Sequence, residues 1–413
     1  MHPFTTLFLA ALAVSSTIRI YLAYRHIAYV RSHRERVPEI FSTEVGLQSH
    51  QKAADYTCAK TRFGIFGTLI DAAVLLLFTL GGGLTLADRV VSGWLDPGIW
   101  HGVALVALVA LTAALIDLPL SYYRTFAIEA RFGFNKMTPK LFLLDLIKSL
   151  AVGAAFGLPL IALILWLMDR AGDYWWLYAW GVWVAFNVLV LAIYPTVIAP
   201  LFNRFTPVED QALKTRIEAL LERCGFQARG FFVMDGSRRS THGNAYFTGF
   251  GRSKRIVFFD TLLARLTHPE IEAVLAHELG HFKHKHVLKR MIWLFALSVG
   301  VFWLLGELMR SDWFYSALGV AQPSTAMALL LFFIVAPTFS FLLEPLARFY
   351  SRQHEYEADR YAAHNSSATE LKKALIKLYK DNAATLTPDP WHSAFYDSHP
   401  PAVARLAGLE AST

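Results

Sequence analysis

Seven runs of about twenty mostly apolar residues recur along this chain, each long enough to cross a bilayer as a helix. The sequence predicts spans at Pro3–Tyr24, Phe63–Leu86, Pro97–Ser121, Ser149–Met168, Tyr174–Tyr194, Met291–Met309 and Ser324–Leu343. The first run has no Lys or Arg ahead of it and is long for a signal peptide, so it reads as a retained helix. Of the 413 residues 55% are hydrophobic and 17% charged, too apolar for a soluble protein and too charged for one lying wholly in lipid. The same figures exclude a disordered, collagen-like or coiled-coil chain. The expected architecture is a membrane bundle with a water-facing domain. The two cysteines, Cys58 and Cys224, stand in no C-x-x-C pair, which excludes a disulfide framework or a cysteine zinc site.

Basic residues give the orientation. The segment from Arg25 to Arg62 carries seven Lys/Arg and that from Tyr122 to Lys148 carries five, whereas the stretches around Arg89, Arg170 and Arg310 carry one each. The positive-inside rule then predicts an outside N-terminus and a cytoplasmic C-terminus. The net charge of +7 fits loops beside anionic lipid, not nucleic acid. Four segments follow: 1–195 with five spans, 196–290 as a folded cytoplasmic segment, 291–343 as a two-span hairpin, and 344–413 as a second cytoplasmic segment. Within them the pattern predicts helices over Val208–Cys224, over Glu344–Ala363 and over Thr369–Lys380, and strands over Gly230–Met234, Ala245–Phe250 and Arg255–Phe259. Pro269 opens a helix expected to run through His286 toward the sixth span. Thr385–Pro401 reads as loop.

His277-Glu278-Leu279-Gly280-His281 is an H-E-x-x-H motif on that helix. Histidines at i and i+4 stand one turn apart on one face and can both present a ring nitrogen to a single Zn²⁺. Glu278 can reach a water on that metal and take its proton as general base. A catalytic zinc needs a third protein ligand. His284 shares the face of 277 and 281, while His286 lies off it. A distal carboxylate is the other choice. The run from Ser351 to Asp359 is rich in ligand-type residues, and Glu355 and Asp359 fall at i, i+4 on one predicted helix face. One could bind metal and the other orient a histidine. The two-span hairpin returns this helix to the side of the first motif.

HELGH followed by EYEAD across such a hairpin resembles the integral-membrane zinc proteases of the type I CAAX prenyl protease family. Arg239–Phe247 (RSTHGNAYF), Arg255–Leu262 (RIVFFDTL), Ile193–Val208, Ile128–Thr138, and His399-Pro400-Pro401 followed by Arg405-Leu406 are similar to family segments as well. The resemblance spans about Val37 to Leu406. It implies a mainly α fold, a seven-transmembrane-helix bundle enclosing a chamber, with a small cytoplasmic α/β zinc-metalloprotease domain. It implies one Zn²⁺ per chain held by His277, His281 and Glu355, with Glu278 as base. His399 would stabilise the oxyanion, and Asn244 would hold substrate backbone or the oxyanion from a strand edge. Asp359 and Arg352 would support the ligands from behind, and His284 would be a structural histidine. Arg19, Asp71, Asp117 and Glu307, in or at the edges of the spans, would line the chamber or pair with one another.

The implied activity is hydrolysis of a peptide bond near the C-terminus of a prenylated CAAX-type protein. A quality-control protease for misfolded or stalled membrane proteins is an alternative. A non-enzymatic seven-helix protein with a structural zinc is another, and it would not need Glu278. Leu409–Thr413 carries no di-lysine or KDEL-type signal, which favours a bacterial inner membrane over the ER membrane.

Overall fold

The computed structural model describes residues 1–228, 230–248 and 255–410. Seven helical stretches among them are long and apolar enough to cross a membrane. They are built on α1 (Pro3–Ser32), α2 (Leu47–Phe78), α4 (Ile99–Tyr123), α5 (Pro139–Arg170), α6 (Trp175–Ile193), α11 (His286–Met309) and α13 (Thr325–Ser340), with the short α3 (Gly83–Ser92) and α12 (Asp312–Ala317) between spans. α1 packs on α2, α4 on α5, α5 on α6, α6 on α11, α11 on α13, and α13 on α1 and α4. α13 also touches α5, and with 56% of its most apolar stretch buried it is the most enclosed of the spans. Only 6% of the most apolar stretch of α2 is buried, as suits a span whose apolar side chains meet lipid. α3 and α12 contribute Leu84, Val91, Phe314 and Tyr315 to the core that also holds Phe8 of α1.

Several boundaries differ from the sequence reading. The second span ends at Phe78 and not near Leu86, because Gly82 takes φ +77° and breaks the helix before α3. The basic segments expected as loops are largely helical. α1 continues to Ser32, α2 begins at Leu47, and α4 runs on as a π-wound turn, Arg124–Glu129. Thr138 caps α5 by accepting from the Leu141 amide, with Pro139 at its first turn.

The α/β domain follows α7 (Ala199–Phe202). Its elements are β1 (Phe205–Pro207), α8 (Gln211–Cys224), β2 (Gly230–Met234), β3 (Ala245–Thr248), β4 (Arg255–Phe259), α9 (Asp260–Leu263) and α10 (His268–Lys283). Asp210 caps α8 and Gly225, at φ +69°, ends it. The sheet order is β1-β2-β4-β3, with β2 and β4 parallel and both outer pairs antiparallel, so β3 is an edge strand. The sequence reading missed β1, which is three residues long and ends in proline. The expected strand Ala245–Phe250 is seen through Thr248; residues 249 and 250 lie outside the described residues, as do 411–413.

α10 starts with a capping box, in which Thr267 and Glu270 exchange side-chain and backbone bonds. It does not run into the sixth span as expected. Lys285 takes φ +55°, which ends α10 and starts α11 in a new direction. The seventh span, by contrast, passes through the turn Phe341–Leu343 straight into α14 (Glu344–Asn365). α15 (Ala368–Asp381), α16 (Pro390–Tyr396) and α17 (Ala402–Glu410) complete the chain. α16 falls where loop was expected; Asp389 caps it and anchors it to α1 through Arg25 at 2.9 Å.

Candidate active site

α10 and α14 cross closely because Gly280 has no side chain. A Cβ there would stand 2.9 Å from Ala358 Cα. This contact brings His277 and His281 of α10 against Glu355 of α14. The two Nε2 atoms are 3.2 Å apart, and Glu355 oxygens lie 3.5 Å from His277 Nε2 and 3.4 Å from His281 Nε2. Ligands about 2.1 Å from a tetrahedral centre are about 3.4 Å from one another. Glu355 Oε2 is buried with no hydrogen-bond partner, which is how a carboxylate oxygen looks when it is shaped for a cation. The three side chains therefore fit a metal ion. His284 caps the end of α10, stacks 5.6 Å from His286, and is not in this group.

Hydrogen bonds behind the histidines fix their tautomers. His277 Nδ1 is 2.8 Å from Asp359 Oδ1 and donates to it, which leaves the Nε2 lone pair for metal. Arg405 holds Asp359 through two bonds of 2.7 Å. On the other side, His286 Nε2 is 2.8 Å from Glu357 Oε2, and His286 Nδ1 is 2.9 Å from His281 Nδ1. Glu357 accepts the His286 Nε2 proton, so His286 Nδ1 accepts from His281 and again frees Nε2. Asp359 was expected in this supporting role. His286, Glu357 and Arg405 had been given none. The left-handed Lys285 turns His286 back over His281, a placement that the expected continuous helix forbids. Arg405 is the one charged residue among Ala402–Leu409, and that was the available signal.

Charge in the site is tuned by burial. Burial and Arg405 pull the His277 pKa down, but the neighbouring carboxylates Asp359 and Glu355 outweigh them and bring it up to about 9, so a metal at Nε2 competes with a proton. Burial pushes the Glu278 carboxyl up, against the opposing pull of His277 and His281, toward the range a base near neutral pH needs. His399 stands 3.5 Å from Glu355 Oε2 with 62% of its side chain open. Desolvation by the groups around it lowers its pKa despite the attraction of Glu355.

Arg352 does not reach the metal ligands, contrary to expectation. It donates to the carbonyls of Ser393 (3.3 Å) and Asp397 (2.9 Å), and so holds the segment just before His399. Asn244 opens β3. Its side-chain oxygen accepts from the Ala245 amide at 2.8 Å, and it is exposed at the sheet edge. Of the charged groups within the spans, Arg19 lies 3.8 Å from Glu344 and 3.8 Å above the Phe341 ring, and with Asp71 it lines an inner hollow of about 270 Å³.

Residues 26–204 match the CAAX prenyl protease N-terminal family, described as five membrane helices, and residues 207–413 match peptidase family M48. The chain is 34% identical to CAAX prenyl protease 1 of Saccharomyces cerevisiae, over 94% of this chain and 91% of that protein. It is 31% identical to the CAAX prenyl protease 1 homolog of Homo sapiens, over 91% of this chain and 88% of that one. The crystal structure of S. mikatae Ste24p superposes with a TM-score of 0.94 at 32% identity, covering 99% of this chain and 100% of the other.

Proposed function

This chain belongs to peptidase family M48, with the N-terminal membrane helices of the CAAX prenyl proteases, and we propose that it removes the C-terminal residues of prenylated CAAX-type substrates. The observation that carries the reading is the trio His277, His281 and Glu355 at metal-ligand spacing, with Glu278 next to His277 in the sequence, in a chain that also has seven helices long and apolar enough to cross a membrane. Two imidazoles and a carboxylate suit zinc best among common metals. When bound, zinc polarises a carbonyl and lowers the pKa of water.

The chain's own residues do the rest. Glu278 takes a proton from the attacking water and returns it to the departing amine. His399, open beside Glu355, donates to the carbonyl oxygen as negative charge builds on it. The β3 edge receives the substrate backbone as an added strand, with Asn244 at its entry. Asp359 and Arg405 hold His277, His286 and Glu357 hold His281, and Arg352 steadies the approach to His399. The basic segments support an outside N-terminus and a cytoplasmic α/β domain; that topology and a bacterial inner membrane are part of the proposal.

The test compares a farnesylated CAAX peptide with its non-prenylated twin on purified protein. We expect cleavage of the lipidated peptide, lost on chelation and in Glu278→Gln. Equal cleavage of both peptides would retain the protease and remove prenyl recognition. No cleavage of either by zinc-loaded protein would contradict the reading.

A further inference from the structure

A hollow of about 850 Å³ lies between the α/β-domain ends of α4 and α5. Leu118, Tyr122, Phe126, Phe142, Leu143 and Leu146 form most of its wall, and no lining residue is charged. Tyr122, Phe126 and Phe142 touch one another, with ring centroids 4.5, 5.8 and 5.6 Å apart. The sequence builds this gap locally. Pro119 removes an amide donor inside α4, and the chain then widens into the π-wound turn Arg124–Glu129, a distortion common at functional sites.

The same turn is bonded to the peptide-receiving edge. Glu129, its last residue, accepts from Tyr56 at 2.6 Å and faces His242 at 3.8 Å. Phe134 stacks on His242 at 4.7 Å, and its carbonyl accepts from the Thr241 amide. His242 stands two residues before Asn244, where the edge strand begins. The uncharged aromatic hollow and the strand edge are therefore linked through Glu129, Phe134 and His242.

We propose that this hollow holds the prenyl chain of the substrate while the adjoining peptide lies along β3, an inference that rests on the CAAX protease reading above. An isoprenoid chain is a branched hydrocarbon without charge, and a wall of four rings and three leucines with no ion matches it. Its link to the substrate strand favours the substrate's own lipid over a bilayer phospholipid.

The test needs no turnover. Zinc-loaded, full-length Glu278→Gln protein is irradiated with a farnesylated CAAX peptide whose prenyl chain carries a diazirine. Label is expected on residues 118–127 and 139–146, displaced by unlabelled farnesylated peptide and not by the non-prenylated twin. Label elsewhere, no label, or label displaced by phospholipid but not by the peptide overturns the proposal. In the active protein, Leu143→Trp narrows the hollow and should raise KM for the farnesylated peptide about tenfold more than KM for the twin. Equal changes for both would overturn it. A protein that cleaves neither peptide contradicts the protease reading, while the photolabel still decides the pocket.

Discussion

His281 owes its orientation to His286, a residue five positions on that lies in the next helix. Replacing His286 by Ala, or Glu357 by Gln, should lower zinc affinity about ten- to a hundredfold, measured against a competing chelator. Unchanged affinity would show that the Glu357–His286–His281 chain does not set the ligand. Glu278→Gln should act differently. It should retain zinc and lower kcat by about 100- to 10,000-fold, the usual share of a general base. At this scale the sequence was legible where spacing along one helix decides geometry, as for His277, Glu278 and His281. It was not legible where tertiary contact decides. Only the left-handed backbone at Lys285 brings His286 to His281. Burial of Arg405 against Asp359 joins residues that are 46 apart in the chain. Arg352 shares the face richest in ligand-type residues, and the fold of the tail turns it toward the Ser393 and Asp397 carbonyls instead.

Helix α10 meets α14 through Gly280, and that crossing sets the distance between the histidines and Glu355. Gly280→Ala forces a Cβ against Ala358 and Tyr361. It should cost about 1–3 kcal/mol of domain stability and lower zinc occupancy together, read by thermal melting and metal analysis. A variant with full occupancy and unchanged melting would contradict the close-crossing account. The edge position of β3 carries its own expectation. N-methylating the substrate backbone opposite β3 should weaken binding by about 1 kcal/mol per bond removed, while side-chain changes there have smaller effects. The long elements were legible because apolar runs and caps are local. The second span was placed too far along because the Gly81–Gly83 run interrupts an apolar stretch that composition alone continues. β1 and α16 were missed because three and seven residues give too short a pattern for periodicity.

The membrane helices and the α/β domain have separate hydrophobic cores, one built on Phe8, Trp175 and Phe302, the other on Ile217, Phe258 and Leu279. Metal loss should therefore abolish hydrolysis and leave most helical circular dichroism in place, with activity restored by added zinc. Large loss of helix on chelation would mean that the ion also holds the fold together. The seven spans and the side shared by the two polar segments were readable from hydropathy. A chamber was not, since apolar faces turned to lipid and to a chamber look alike in a sequence; that expectation rests on the family resemblance. The most direct measurement is single-turnover hydrolysis of a farnesylated CAAX peptide by zinc-loaded wild type and Glu278→Gln, with metal content and released peptide determined in the same samples. The account expects one zinc per chain in both proteins and a C-terminal tripeptide released by the wild type alone. Equal release by both, or no release by fully loaded wild type, would contradict it.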